Sequence, residues 1–400
     1  MLTLLGINKI LAVYVGPSGY ATLGQFQNSV QMISTIASGA VHTGVTKYTA
    51  EYYEEEEKQR RVWQTAGTIA LIGSIVLSLL VFVFKADLAR LFLSDVNLGL
   101  VFGWFAATLI LFVFNTLLLA ILNGKKDIYN YVLANIAGSV FALLITTFMV
   151  ISWGLLGALI ALAIYQSLTF FVTIVLCFKT PWFRLGYLFG RFDIEVVKKL
   201  AKYTAMTLTS AAMAPLSQIL IRNHLGQTLG WQAAGYWEAM WRLSGAYLML
   251  VTSTLSVYYL PRISELKSGA EIRKEIATGY RIILPVTVGC SLIVFLLREP
   301  IVQILFSQEF MPMTELFFWQ LIGDVLKVAS WLLAFVMLGK SMTMVFISTE
   351  IIFSAIFFGL VIAFVHFFDL VGVAVAYAVN YAVYLFVMWY VIKKKTNEEH

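Results

Sequence analysis

Long apolar runs separated by short polar breaks extend over nearly the whole chain, and within each run the apolar residues are continuous. Continuous runs of about twenty residues suit α-helices that cross a bilayer, whereas a transmembrane barrel needs alternating segments of about ten. The breaks predict twelve helices. The first six lie near residues 1–15, 20–49, 62–84, 98–122, 129–151 and 155–178, and the second six near 198–222, 232–261, 277–297, 313–339, 342–365 and 370–392. Gly16-Pro17, Asn123-Gly124 and Gly226 punctuate the turns. The longest polar stretches, Glu51–Arg61, Lys179–Val197 and Arg262–Ile276, are too short to fold as soluble domains. Leu2 to Val15 spans only about 21 Å as helix against roughly 30 Å of hydrocarbon, so the first helix reads as truncated. It carries Lys9 in its middle and lacks the basic start and small-residue cleavage site of a signal peptide.

The two halves repeat at an offset of 215: Lys47 aligns with Arg262, Lys58 with Arg273, Gly124-Lys125 with Gly339-Lys340, Gly157 with Gly372, and Lys179 with Lys394. Six helices per half give both halves one orientation. The expected fold is an all-α polytopic membrane protein with two pseudo-symmetric six-helix lobes around a central cavity. The lobes are residues 1–178 and 198–392, joined by a cytoplasmic linker at 179–197 and followed by a cytoplasmic tail at 393–400.

Composition agrees with this picture. Of 400 residues, 60% are hydrophobic and 12% charged, with a mean hydropathy of +0.83. Of the 28 basic residues, 21 fall on one side of the predicted helices, including Lys47, Lys125, Lys126, Lys179, Arg184, Arg191, Lys198, Lys199, Lys202, Lys267 and Lys393–Lys395. Four, Lys85, Arg90, Arg222 and Arg298, fall on the other, and Lys9, Arg242 and Lys327 lie within helices. Basic residues accumulate on the cytoplasmic side, so both termini are expected there. The net charge of +6 follows from this topology and does not indicate nucleic acid. Cys177 and Cys290 lack metal-ligand spacing, and no metal or other cofactor is expected. Phosphate-binding glycine loops, zinc-protease motifs and nucleophile elbows are missing, which argues for a transporter over an enzyme.

The candidate chemistry is the set of polar groups inside the predicted helices. Asp324 and Lys327, within Trp319–Val328, lie three residues apart on one helix face. A charge near the bilayer centre costs about 2.5–3.5 kcal/mol on insertion scales, so such residues face a partner or an aqueous path. An internal ion pair and the wall of a transport path are both open readings. Glu238 and Arg242, spaced i, i+4, either pair along their helix or serve the path. Glu350 either couples transport to a proton or pairs with Lys327 or Lys9. Asp324 and Glu238 are further candidates for proton or ion coupling. His42 reads as a packing residue or a relay, and Lys47 as a headgroup contact or a substrate contact. Asn28, Gln31, Asn115, Gln218 and Asn380 bond either other helices or a sugar. Most of these charges lie in the second half: at the offset of 215, Asp324 and Lys327 match Leu109 and Phe112, and Glu238 and Arg242 match Leu23 and Gln27.

Gly44-Val45-Thr46-Lys47-Tyr48, Gly16-Pro17-Ser18-Gly19 and Trp319–Val328 resemble the corresponding stretches of Wzx-type O-antigen and enterobacterial common antigen translocases. That family belongs to the multidrug/oligosaccharidyl-lipid/polysaccharide exporter superfamily, and the resemblance runs from about Lys9 to Lys395. It implies a bacterial inner-membrane flippase that moves an undecaprenyl-pyrophosphate-linked oligosaccharide to the periplasmic leaflet by alternating access, with basic residues holding the pyrophosphate. Lys47, Asp324 and Lys327 fall within the matching motifs. Lys9, Arg222, Arg242 and Glu350 join the candidate set through depth and charge. Membrane lipids, a glycan polymerase and a chain-length regulator are the implied partners. The alternatives are an ion-coupled drug exporter of the same superfamily and a non-transporting scaffold in glycan synthesis.

Overall fold

The computed structural model describes residues 2–190, 192–259, 262–263, 266, 268–340 and 342–398. Arg191 and Lys267 of the orientation count lie outside the described residues, as do the side chain of Lys202 and the last two residues of the expected tail. The described residues are mostly helical and contain no strand. In chain order the α-helices are α1 (Leu2–Ala37), α2 (His42–Glu51), α3 (Glu56–Val83), α4 (Lys85–Leu93), α5 (Gly99–Gly124), α6 (Ile128–Phe178) and α7 (Ile194–Thr228). They continue as α8 (Trp231–Thr254), α9 (Gly269–Leu296), α10 (Arg298–Leu305), α11 (Phe317–Gly339), α12 (Thr343–Phe368) and α13 (Val371–Glu398).

Seven segments among the described residues are long and apolar enough to cross a membrane: Glu56–Val83, Val96–Gly124, Ile128–Phe178, Gly269–Leu296, Gln308–Gly339, Thr343–Phe368 and Val371–Lys395. The third contains two of the expected helices, because its 51 residues break at Trp153 and Gly154. The other expected spans are also helical, in α1, α2, α7 and α8, but are not among these seven. These are the helices that carry Lys9, Gln27, Gln31, His42, Arg222, Glu238 and Arg242.

Backbone contacts divide the chain into two compact units, Met1–Val15 with Thr22–Leu216, and Gly16–Ala21 with Ser217–His400. The short exchange at 16–21 explains the Gly16-Pro17-Ser18-Gly19 motif. Gly16 takes φ 68°, ψ 179°, a region open almost solely to glycine, and divides α1 there. A Cβ on Gly235 would lie 1.8 Å from the Pro17 carbonyl oxygen, so within the second unit α8 must present glycine to the segment. The expected helix 20–49 is also broken, between α1 and α2, where Gly39 and Ala40 take positive φ.

The elements from α3 to α6 recur in the same order from α9 to α13, and the backbone registers the repeat closely. Gly154 (φ 55°, ψ −133°) and Asp369 (φ 46°, ψ −135°) make the same break 215 residues apart. A Cβ on Gly157 would meet the Met149 carbonyl oxygen at 1.9 Å, and one on Gly372 would meet that of Phe364 at 2.2 Å, again 215 apart at both ends. The single offset needs correction elsewhere. Helices α3 and α9, each of 28 residues, start 213 apart, and the glycines with positive φ before and within α8 and α1, Gly230 and Gly16, are 214 apart. The difference lies in the connectors: Val96–Leu98 is a three-residue turn, where the second unit has the nine-residue Gln308–Leu316. In α1 and α8 the register of 214 sets Gln27 against Trp241 and Asn28 against Arg242.

Candidate functional site

In the second unit, Asp324 is fully buried on α11, and hydroxyls rather than a cation hold it. Ser244 donates to its Oδ2 at 2.7 Å and Tyr247 at 2.6 Å, both from α8. Tyr377 of α13 donates to Oδ1 at 2.9 Å. Hydrogen bonds to an ionised acceptor are about twice as strong as neutral ones, so three of them replace much of the lost hydration. Gln320, one turn earlier, donates to Ser244 at 3.4 Å and extends the network.

Lys327, one turn after Asp324, is half-buried and makes no ion pair within 4 Å among the described residues. Aromatic rings surround its Nζ instead. The ring centres of Trp241 and Trp331 lie at 4.9 Å, that of Tyr381 at 5.4 Å and that of Tyr377 at 5.6 Å. A desolvated cation–π contact is worth about 2 kcal/mol. Two such contacts are therefore enough to offset the roughly 2.5–3.5 kcal/mol cost of a lysine at mid-membrane depth. Asp324 and Glu350 both lie within electrostatic reach of Lys327. Of the two readings of Asp324 and Lys327, direct pairing is thus replaced by two separately solvated charges on one face.

Glu238 forms the pair expected with Arg242 and a second one besides. Arg242 Nε donates to Glu238 Oε1 at 2.7 Å, and Arg222 donates to Oε2. Arg222, which the sequence placed at a helix end, is 0% exposed and stacks over Trp237 with its guanidinium carbon 5.9 Å from the ring centre. Arg242 lies 4.9 Å over Tyr20, from the segment exchanged into this unit, and hydrogen-bonds its hydroxyl. Two arginines share one carboxylate.

The first unit places its candidates differently. Lys47 is exposed on α2, 3.9 Å from Glu51. Lys9 is half-buried on α1. His42, at the start of α2, lines a cavity of about 250 Å³ with Gln27, Gln31, Thr116, Tyr165 and Gln166, and its Nδ1 is buried without a hydrogen-bond partner. Among the described residues, no Asp, Glu, Lys or Arg lines this cavity. The amides left open by the sequence now separate. Asn115 accepts from Thr173 at 2.7 Å and Asn28 donates to the Pro215 carbonyl at 3.5 Å, so both tie helices together, while Gln31 is exposed to the cavity.

Sequence reasoning missed the aromatic and hydroxyl groups around the charges. A signal was available: Tyr377, Tyr381 and Tyr384 recur at i, i+4 and i+7 along the last helix, and Trp237 and Trp241 at i, i+4. The cavity had one as well, in the polar stripe Gln27, Gln31, Ser34, Ser38.

A family model described as "polysaccharide biosynthesis protein" matches residues 23–315. The chain belongs to this family. The lipid III flippase of Escherichia coli (strain K12) aligns with the chain over 393 residues, at 28% identity, covering 96% of this chain and 94% of that protein. The lipid III flippase of Shigella flexneri gives the same figures. Among solved structures, the inward-facing conformation of a multidrug resistance MATE family transporter of the MOP superfamily is similar, with a TM-score of 0.83 at 16% identity, covering 99% of this chain and 96% of that one. An outward-facing conformation of such a transporter gives 0.72 at 15% identity, covering 99% and 94%. The chain is therefore a multi-pass membrane protein with the two-lobed MATE-type fold.

Proposed function

We propose that the protein is a flippase. It carries an undecaprenyl-pyrophosphate-linked oligosaccharide, an O-antigen or common-antigen repeat, from the cytoplasmic to the periplasmic leaflet of the bacterial inner membrane. It works by alternating access of two six-helix lobes, 1–178 and 198–392, with both termini and the 179–197 linker in the cytoplasm. A glycan polymerase and a chain-length regulator act beside it.

The observation that carries this reading is Lys327. Its charge is kept in the middle of α11 by aromatic faces, with no carboxylate in ion-pair contact among the described residues. A cation prepared in this way can receive an anionic group such as a pyrophosphate, whose unaided passage through hydrocarbon is prohibited by lost hydration. The flippases named above, aligned over nearly the whole chain, support the substrate class. Lys9 and Lys47 are further contacts along the path, and Asp324, Glu350, Glu238 and His42 are the groups available for proton or ion coupling.

The test is transfer of an undecaprenyl-pyrophosphate glycan across vesicles containing the protein, with and without a pH gradient. Lys327→Ala and Asp324→Ala are expected to lower transfer at least tenfold while the protein stays folded and inserted. Unchanged transfer in both variants would take α11 out of the path. An ion-coupled drug exporter, the reading favoured by the MATE-type fold, predicts uptake of a cationic drug in the same vesicles and no glycolipid transfer.

A further inference from the structure

The cavity of the first unit and the Lys327 box of the second occupy matching places in the repeat. At 215 in α5 and α6, Phe112 answers to Lys327, Thr116 to Trp331, Leu162 to Tyr377 and Gln166 to Tyr381; at 214 in α1, Gln27 answers to Trp241. Every one of these first-unit residues lines the cavity, and every one of their counterparts is Lys327 or a ring around it. Where the second unit fills the space with four large aromatic side chains, the first has Gln, Thr, Leu and Gln. The space stays open for that reason.

From this geometry we infer that the first-unit cavity is a saccharide subsite that holds one neutral sugar ring of the lipid-linked glycan. The inference rests on the flippase reading and adds to it where the glycan is recognised. A cavity of about 250 Å³ falls just below the roughly 300–1,000 Å³ typical of drug-sized sites, which suits one ring better than an oligosaccharide. Its described lining residues include no carboxylate to attract a cation and no Lys or Arg to hold a phosphate.

Its hydrogen-bonding character fits a polyol. Thr35 donates to the Gln31 carbonyl at 2.7 Å, Ser38 to that of Thr35 at 2.9 Å and Thr116 to that of Phe112 at 3.2 Å. With their protons committed to the helix backbone, these hydroxyls offer oxygens that accept from sugar O–H groups. Gln31 and Gln166 supply amides that both donate and accept, and the buried Nδ1 of His42 gains a partner it otherwise lacks. Phe112 and Tyr165 supply flat apolar faces for the C–H side of a ring.

The experiment measures binding of two probes to the full chain in vesicles: the undecaprenyl-pyrophosphate oligosaccharide, and undecaprenyl pyrophosphate without sugar. The readout is the ratio of their affinities. Gln31→Leu and Gln166→Leu remove the amides at nearly constant volume, and Thr116→Trp refills the space as in the second unit. Each is expected to lower the ratio at least tenfold, whereas Lys327→Ala lowers both affinities and leaves the ratio within about threefold. An unchanged ratio in the leucine variants, with wild-type melting behaviour, would overturn the subsite even if Thr116→Trp failed to fold. An equal loss of both probes in those variants would overturn it too, because it would signal altered packing. Wild-type protein that binds neither probe would instead defeat the flippase reading itself.

Discussion

The two units present the same helical scaffold with opposite interiors. In the second, Asp324, Lys327, Glu238, Arg222 and Arg242 are each held by hydroxyls, rings or a shared counter-charge. In the first, the equivalent positions are neutral, and an open cavity lined by amides and hydroxyls takes the place of the aromatic cage. The lesson concerns the use of volume. Trp331, Tyr377 and Tyr381 are needed where a cation has to be solvated in a poorly hydrated place, and the same space becomes available to a ligand once no cation needs it. One fold thus supplies a site for charge and a site for polar shape.

The sharpest way to break this comparison is Glu238→Gln. The carboxylate that two buried guanidinium groups share would be removed from between them, and breaking a buried pair costs about 3–5 kcal/mol. The variant is expected to melt well below the wild type in detergent. Gly24, the matching position of the first unit at the register of 214, carries no charge, so no equivalent penalty exists there. Wild-type melting of Glu238→Gln would mean that Arg222 and Arg242 find other acceptors, and that the charged interior is less committed than its geometry indicates.

Much of this asymmetry was legible in the sequence, and the unread part has a physical cause. The charges were visible because ionisable residues are rare in apolar helices. The repeat was visible because Gly157 and Gly372 sit where a helix start packs against the carbonyl oxygen of the residue eight positions earlier. Its register was read as one number, although connectors of different length shift α3 against α9 and α1 against α8, and this misaligned Arg242 with Gln27. The partners of Asp324 and Lys327 were not legible. Tyr and Trp are ordinary helix-packing residues in a membrane protein, and only coordinates show which face carries the cation. The cavity was hidden for a related reason: it is defined by small side chains at positions whose significance comes from the large ones they replace.

A smaller effect sharpens the account of the charged interior. Tyr377→Phe keeps the ring beside Lys327 but removes one donor from Asp324. A hydrogen bond to a charged group contributes about 1.5–3 kcal/mol, so a moderate fall in melting temperature is expected, together with a loss of transfer smaller than that of Lys327→Ala. Tyr381→Phe, which keeps a ring at Lys327 and is not bonded to Asp324, serves as the control. Equal effects of the two changes would show that the rings matter and the hydroxyl on Asp324 does not.

The smallest stability effect belongs to Lys47, and its value lies in the contrast with Lys327. Its side chain is 45% exposed and its ammonium lies 3.9 Å from Glu51, an i, i+4 pair of a kind that contributes about 0–1 kcal/mol. Lys47→Gln is therefore expected to leave melting unchanged, whereas Lys327→Ala empties a cage and destabilises the protein. Transfer is expected to fall less than tenfold, because water and the remaining cations can take over an exposed contact. A drop as large as that of Lys327→Ala, with melting intact, would move the recognition of the anionic group to the motif Gly44-Val45-Thr46-Lys47-Tyr48. The division into a charged second unit and a neutral first unit would then have to be redrawn at the rim of the first.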